Sequence, residues 1–162
     1  MNTAAKIVVY LGLALGAGAC NFGGEHPEMW QTQELGAPSE NVMWTVVAQE
    51  LDHLDFPVGT DVDPVTLTME TGWRLQLAPF RGEGYREKAF VRLRGLEGGR
   101  YEVEARVARE NNMDMVRPLD LGHAKWEPVG DDVEMTQLLL QRVLARVGSE
   151  LEVGPAPKKR SR

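Results

Sequence analysis

The chain has 162 residues, enough for one domain with a hydrophobic core and too few for two once its ends are set aside. Hydrophobic residues make up 43% of the chain and charged residues 26%, and the formal net charge of -6 argues against general binding to nucleic-acid phosphates. Cys20 is the only cysteine, which excludes an internal disulfide and a zinc site built from cysteines.

The first nineteen residues have the three-part pattern of an export signal. Lys6 and the amino terminus give a positive start, an apolar run extends from Ile7 to Leu15, and small residues follow up to Ala19. The apolar run is shorter than the roughly 20 residues that a membrane-spanning helix needs. Residues 1–19 are therefore predicted to be a cleavable signal peptide.

The sequence Ala17-Gly18-Ala19-Cys20 resembles the lipobox of bacterial lipoproteins, although Ala17 replaces the usual large aliphatic residue and Gly18 is a less common choice. The resemblance implies that the Cys20 thiol receives a diacylglyceryl group before cleavage, and that acyl chains such as palmitate anchor the protein stably. The alternative is an ordinary signal peptide cut near Ala19, which leaves a free thiol. Asn21 stands where an aspartate would favour inner-membrane retention, so the outer membrane is the predicted location.

Residues 20–38 are rich in glycine, proline and polar residues, and they are predicted to be a tether between the lipidated cysteine and the domain. A helix is predicted from Ser39 to about Leu54, with Ser39 or Asn41 as its N-cap and an apolar stripe along one side.

The middle of the chain alternates between apolar and polar residues over 65–77, 88–94 and 100–107, as expected for three strands of an antiparallel sheet covered on one face. A loop formed by Glu97, Gly98 and Gly99 joins the last two strands. This loop sets Arg92 opposite Glu104 on the polar face of the predicted hairpin.

A final helix is predicted from Asp131 or Asp132 to about Val147, followed by a disordered basic tail over 154–162. The predicted fold is α+β, a single domain over 39–153 with the order α-β-β-β-α. Its three-stranded antiparallel sheet carries both helices on one face.

The irregular stretch 110–130 contains Asp114, Asp120 and His123, whose side chains suit a metal ion, a small ligand or proton transfer. Their spacing matches no established ligand pattern, so the competing interpretation is a polar connection along the domain edge. No cofactor is predicted.

Two charged regions are candidate contact surfaces. The polar face of the sheet is either a platform that docks another protein or an ordinary solvated face. The basic tail either contacts an anionic surface or only aids solubility. The platform consists of Arg74, Arg92, Arg94, Glu102, Glu104 and Arg106, and the cations of the tail are Lys158, Lys159, Arg160 and Arg162.

These features favour a non-enzymatic envelope lipoprotein that docks on a protein partner. The organisation broadly resembles small lipoproteins that act as assembly factors or pilots for outer-membrane machines, and the lipopolysaccharide-export type shares the helix–strands–helix plan. Only Cys20 carries over from this resemblance. The alternative is a periplasm-facing domain that binds a small ligand or metal through the 110–130 loop. An enzyme is the least favoured of the three possibilities, because no nucleophile–base pair is visible in the sequence.

Overall fold

The computed structural model describes residues 26–59, 61–63, 65–78 and 83–152. The predicted signal peptide, Cys20 and the basic tail lie outside these residues.

One antiparallel sheet of seven strands organises the domain. The strands are β1 (Gln31–Gly36), β2 (Asp61–Asp63), β3 (Thr68–Glu70), β4 (Arg74–Ala78), β5 (Glu83–Leu96), β6 (Arg100–Asn112) and β7 (Trp126–Asp131). The long strands β5 and β6 pair at the centre. Each of these long strands pairs on its outer edge with two short strands that lie end to end. Strands β1 and β7 pair with β6, and strands β3 and β4 pair with β5. Strand β2 extends the sheet beyond β3.

Two helices cover one face of this sheet. Helix α1 (Glu40–His53) begins at Ser39, whose hydroxyl accepts a hydrogen bond from the Val42 amide at 3.3 Å, as predicted for the N-cap. Helix α2 (Val133–Glu152) begins after Asp132, whose carboxylate accepts from the Met135 amide at 2.8 Å. This helix extends past its predicted end at Val147.

The hydrophobic core lies between the helices and the inward-facing side chains of the sheet. The odd-numbered residues from 87 to 93 in β5 and from 103 to 107 in β6 are buried, as the alternation requires when one face is covered. The side chains that build the centre of the core are Met43, Val46, Val47, Leu51, Ala89, Val91, Leu93, Val103, Ala105, Val107, Leu139 and Val143.

The predicted three-stranded sheet is wrong, because the sheet has seven strands and the chain does not have the order α-β-β-β-α. Strand β1 lies inside the predicted tether, and all of β7 except Asp131 lies inside the predicted irregular stretch. Among the residues of β1 only Leu35 is buried, so its sequence carries little of the alternation that marks a half-buried strand.

The single strand predicted over 65–77 is interrupted twice. The Asp63 carboxylate accepts hydrogen bonds from the Val65 and Thr66 amides and makes a turn, within which Leu67 has a φ of 54°. The chain then leaves the sheet after β3 and re-enters at Arg74. Thr71 bridges that gap, because its buried hydroxyl accepts from the Ala89 amide at 3.0 Å.

The predicted hairpin register is confirmed. Arg92 lies opposite Glu104, and Val91 lies opposite Ala105. Gly98 and Gly99 have φ values of 74° and 73°, which the short connection requires and glycine adopts without steric cost. The side of the domain at this turn is called the hairpin end below, and the opposite side, where β6 leads into residues 113–125, is called the loop end.

Candidate functional site

The face of the sheet that points away from the helices carries the most unusual chemistry of the described residues; it is called the open face. Large aromatic and basic side chains project from it. They are Trp30, Trp73, Arg86, Lys88, Phe90, Arg92, Arg106 and Trp126.

One extra residue between Thr71, which bonds Ala89, and Arg74, which pairs with Glu87, places Trp73 on this face. Met69 and Thr71 are buried towards the core, but after the break the buried position is Arg74, so the odd-numbered residues that follow face outward. Trp73 and Leu75 therefore lie on the open face, which is the opposite of the side expected from an uninterrupted alternation.

The first stack of the open face lies near the loop end and contains Trp126, Arg86, Trp73 and Lys88. The Arg86 guanidinium lies 4.2 Å from the ring centre of Trp73 and 4.9 Å from that of Trp126. It also pairs with Glu110 at 2.6 Å. A guanidinium between two indoles and bound to a carboxylate is held in one orientation, so both rings are held with it.

The second stack contains Phe90, Arg106, Trp30 and Arg92. The Arg106 guanidinium lies 4.2 Å from the ring centre of Phe90 and 5.4 Å from that of Trp30. Its terminal nitrogens pair with Glu28 at 2.8 Å and with Asp131 at 3.2 Å. Arg106 thus ties the segment before β1 to the centre of the sheet and holds Trp30 over the open face.

A groove lies beside the second stack. Its volume is about 350 Å³, and it is lined by Trp30, Phe90, Arg92 and Arg106 together with Glu28, Asp61, Thr68, Met69, Glu70 and Val91. A smaller depression of about 280 Å³ continues towards the hairpin end and shares Thr68 and Arg92 with the groove. Arg92 therefore stands between the two depressions.

Several charges of the open face are paired, whereas Arg92, Glu104 and Asp61 make no ion pair with the described residues. Lys88 pairs with Glu70 at 2.7 Å, and Arg94 pairs with Glu102. The Arg92 guanidinium stacks on Trp30 at 3.8 Å and makes no ion pair with the described residues. A stacked guanidinium keeps its N–H edge available for a carboxylate, and this is the property a docking residue needs.

Of the six residues predicted for the polar platform, Arg74 lies elsewhere. The platform prediction is wrong for this residue, because the break at Thr71 turns it towards the core. Its guanidinium donates to the Leu54 carbonyl at 2.6 Å and pairs with the buried Glu87 carboxylate. Burial raises the pKa of Glu87 above its usual range even though Arg74 opposes the shift.

The predicted ligand residues of the 110–130 stretch bond within their own loop. Asp114 accepts from the amides of Val116 and Arg117 at 3.0 and 2.9 Å, and the Arg117 amide is the largest cause of its lowered pKa. Asp120 contacts the His123 ring at 2.8 Å, which lowers the pKa of Asp120. Within the described ranges no three His, Asp, Glu or Cys side chains are grouped closely enough to hold a metal ion.

The remaining predicted contact residues are not part of the described structure. Cys20 and the tail cations Lys158, Lys159, Arg160 and Arg162 all lie outside it. No helix of the described part of the chain is both long and apolar enough to cross a bilayer.

Comparison with known proteins gives no assignment: no protein-family model matches the sequence, and no curated protein is significantly similar to it.

The sequence did not reveal the two stacks as a site. Trp30 and Trp126 lie in segments predicted to be irregular, and an uninterrupted alternation over 65–77 puts Trp73 on the covered face instead of the open face. The available signal was the run of basic residues at even-numbered positions of β5, which are Arg86, Lys88, Arg92 and Arg94, since guanidinium groups stack readily on indole rings.

Proposed function

We propose that this chain is an exported, lipid-anchored protein of the cell envelope that docks a protein partner through the open face. In this proposal Cys20 carries the acyl chains and the outer membrane is the destination. The role is non-enzymatic. The observation that supports docking is the pair of arginine–aromatic stacks on the face left uncovered by the helices.

The composition of the open face favours a protein partner. Tryptophan, tyrosine and arginine dominate the binding energy of protein interfaces because each combines a large apolar surface with a directional polar group. The open face presents three tryptophans and three stacked arginines on one side of one sheet.

The order of these side chains also favours docking. Immobilising a long side chain on association costs roughly 0.5–1.5 kcal/mol. Arg86 and Arg106 are already fixed by aromatic rings and carboxylates in the free protein, so this cost is largely met on folding. Arg92 and Glu104 then supply one unpaired charge of each sign, which sets the orientation of a partner with complementary charges.

The anchoring part of the proposal is tested by mass and location. The protein extracted from membranes should begin at a diacylated Cys20, and the Cys20→Ala variant should leave the membrane fraction. An unmodified amino terminus on a soluble native protein would refute the anchoring part and leave a freely diffusing periplasmic protein.

The docking part is tested by charge reversal on opposite sides of the domain. A tagged protein extracted in mild detergent should carry a stoichiometric envelope protein. Arg92→Glu should lose it, because Arg92 is exposed on the open face, whereas Asp52→Lys should retain it, because Asp52 is exposed on α1. Equal recovery with both variants would place the contact elsewhere and contradict the proposal.

A further inference from the structure

An apolar loop projects from the loop end of the domain. The side chains of Met115 and Val116 at its tip are 92% and 88% exposed, and three further apolar residues of the same loop are also exposed. Those three are Met113, Leu119 and Leu121. Contiguous exposed apolar residues on a surface loop mark a contact with another apolar phase or molecule.

Hydrogen bonds from the Asn112 side chain hold the base of this loop together. The Asn112 carboxamide oxygen accepts from the amides of Asp114 and Lys125 at 3.0 and 2.9 Å, and its nitrogen donates to the Pro118 carbonyl at 2.9 Å. These bonds hold the two sides of the loop together and fix the direction in which its tip projects.

Two of the three backbone amides at the tip, those of Val116 and Arg117, meet a requirement for entering a lipid phase. In hydrocarbon an unpaired backbone amide costs several kcal/mol, so peptide groups must be satisfied internally. The amides of Val116 and Arg117 both donate to the Asp114 carboxylate, which is itself almost fully buried. The acidic residue predicted as a ligand thus supports the apolar tip.

The chain leaves the described structure at the same end of the domain. Strand β1 runs antiparallel to β6 and towards the hairpin end, because Gly36 pairs with Arg100. The segment that precedes β1 therefore lies further from the hairpin end: it passes Arg106, and His26 lies against Gly130, with its ring 3.7 Å from the position of a Cβ there. Gly130 pairs with Arg109, three residues before Asn112, so His26 lies about 10 Å along the strand from the base of the loop.

This geometry places the proposed lipid near the apolar tip. Six peptide units separate Cys20 from His26, and six residues span at most about 20 Å. A bilayer that holds the acyl chains of Cys20 therefore lies within reach of the loop end, and the hairpin end points away from it.

We propose that Met115 and Val116 insert into the phospholipid bilayer that carries the Cys20 acyl chains, giving the domain a second membrane contact. The proposal rests on the proposed anchoring at Cys20. With the lipid and the loop both at the loop end, the sheet stands on the membrane along its strand direction. The open face is then presented sideways, accessible to an envelope partner.

The test measures the depth of a nitroxide label in the lipidated full chain reconstituted into phosphatidylcholine vesicles. Cys20 is the only native cysteine, and lipidation consumes its thiol, so a label attaches only to an introduced cysteine. The variants are Met115→Cys and, as a second position in the tip, Val116→Cys. The matched control is Val65→Cys, since Val65 is an equally exposed apolar residue (89%) in the turn before β3, towards the hairpin end.

Labels at 115 and 116 should be relaxed more by oxygen, which concentrates in hydrocarbon, than by a water-soluble nickel chelate. The oxygen-to-nickel ratio there should exceed that at 65 several-fold. Equal, water-like ratios at all three positions would overturn the insertion. Dipolar broadening between labels at 115 would show that a second copy covers the tip, which also overturns it.

The mass of the same sample separates this proposal from the anchoring itself. A lipidated Cys20 with a water-exposed tip refutes only the loop insertion. A Cys20 without lipid refutes the anchoring, and the position assigned to the loop falls with it.

Discussion

The break at Thr71 gives the sharpest test of how this sequence builds its open face. Thr71 is fully buried, and its hydroxyl accepts from the Ala89 amide at 3.0 Å while donating to the Gly72 carbonyl at 2.9 Å. Thr71→Val keeps the shape of the side chain and removes both bonds, so the Ala89 amide is left buried without an acceptor.

The expected cost follows from that unpaired amide. Leaving a buried donor unsatisfied costs about 1–3 kcal/mol, and full burial of Thr71 places the value near the middle of this range. With a urea dependence of about 1–3 kcal/mol per M for a small protein, the midpoint of unfolding should fall by roughly 1 M.

Two control variants isolate the hydrogen bonds. Thr71→Ser keeps the hydroxyl and removes one methyl group, worth about 0.8 kcal/mol. Thr45→Val removes a hydroxyl that bonds the Asn41 carbonyl on an exposed part of α1, where a change within about 0.5 kcal/mol is expected. A Thr71→Val variant as stable as Thr71→Ser would refute the role assigned to the Thr71 hydroxyl.

Three further predictions concern the packing of the domain. Gly84→Ala should destabilise the domain by about 1–3 kcal/mol, because the new Cβ would lie 3.1 Å from two atoms of neighbouring segments. Gly95→Ala in the same strand is the control and should be tolerated, because its Cβ meets nothing within 4 Å. Equal urea midpoints for the two variants would contradict this prediction. Arg142→Met should cost about 1–3 kcal/mol, because it removes the 2.8 Å bond to the buried Glu50 carboxylate that joins the helices, and an unchanged thermal midpoint would show that the bond does not matter. Burial raises the pKa of Glu87 above its usual value of 4.5, so the native protein holds this proton at a higher pH than the unfolded chain, and stability falls as the pH rises through that interval. Glu87→Gln cannot titrate, so the stability of the native protein relative to this variant should decline from acidic to neutral pH in urea titrations, and parallel pH curves would disprove the shift.

The elements that could be predicted from the sequence are strands whose residues alternate clearly between an apolar and a polar face, and helices that have both an apolar stripe and a recognisable cap residue. The hairpin was predictable because arginines and glutamates alternate with valine, leucine and alanine on both strands, and a glycine turn fixes their register. The helices were predictable from their apolar stripes and from the cap residues Ser39 and Asp132.

The missed elements depend on contacts between distant parts of the chain. Strand β1 is polar, and it forms because the unpaired edge of β6 accepts it. The switch of face before β4 depends on two distant pairings, because Thr71 bonds Ala89 whereas Arg74 pairs with Glu87, which leaves one extra residue between them. The alternation of apolar and polar residues along a strand does not show such a bond, so the prediction exchanged the faces of Trp73 and Arg74.

The candidate site illustrates a second limit of sequence reasoning. Asp114, Asp120 and His123 have the chemistry of ligands, but a sequence does not show whether an acid bonds a metal or its own backbone. Their bonds lie within two or three residues, as is common for aspartate in turns. The exposed apolar tip between them was the more informative feature of the loop.

The central claim, that a partner docks on the open face of the anchored protein, is tested most directly by photo-crosslinking in living cells. A photoreactive amino acid placed at Arg92, between the two depressions, should give one defined crosslinked product with an envelope protein. The same amino acid at Asp52 on the helical face should give none. A product at Asp52 and none at Arg92 would show that the helices, not the open face, carry the contact.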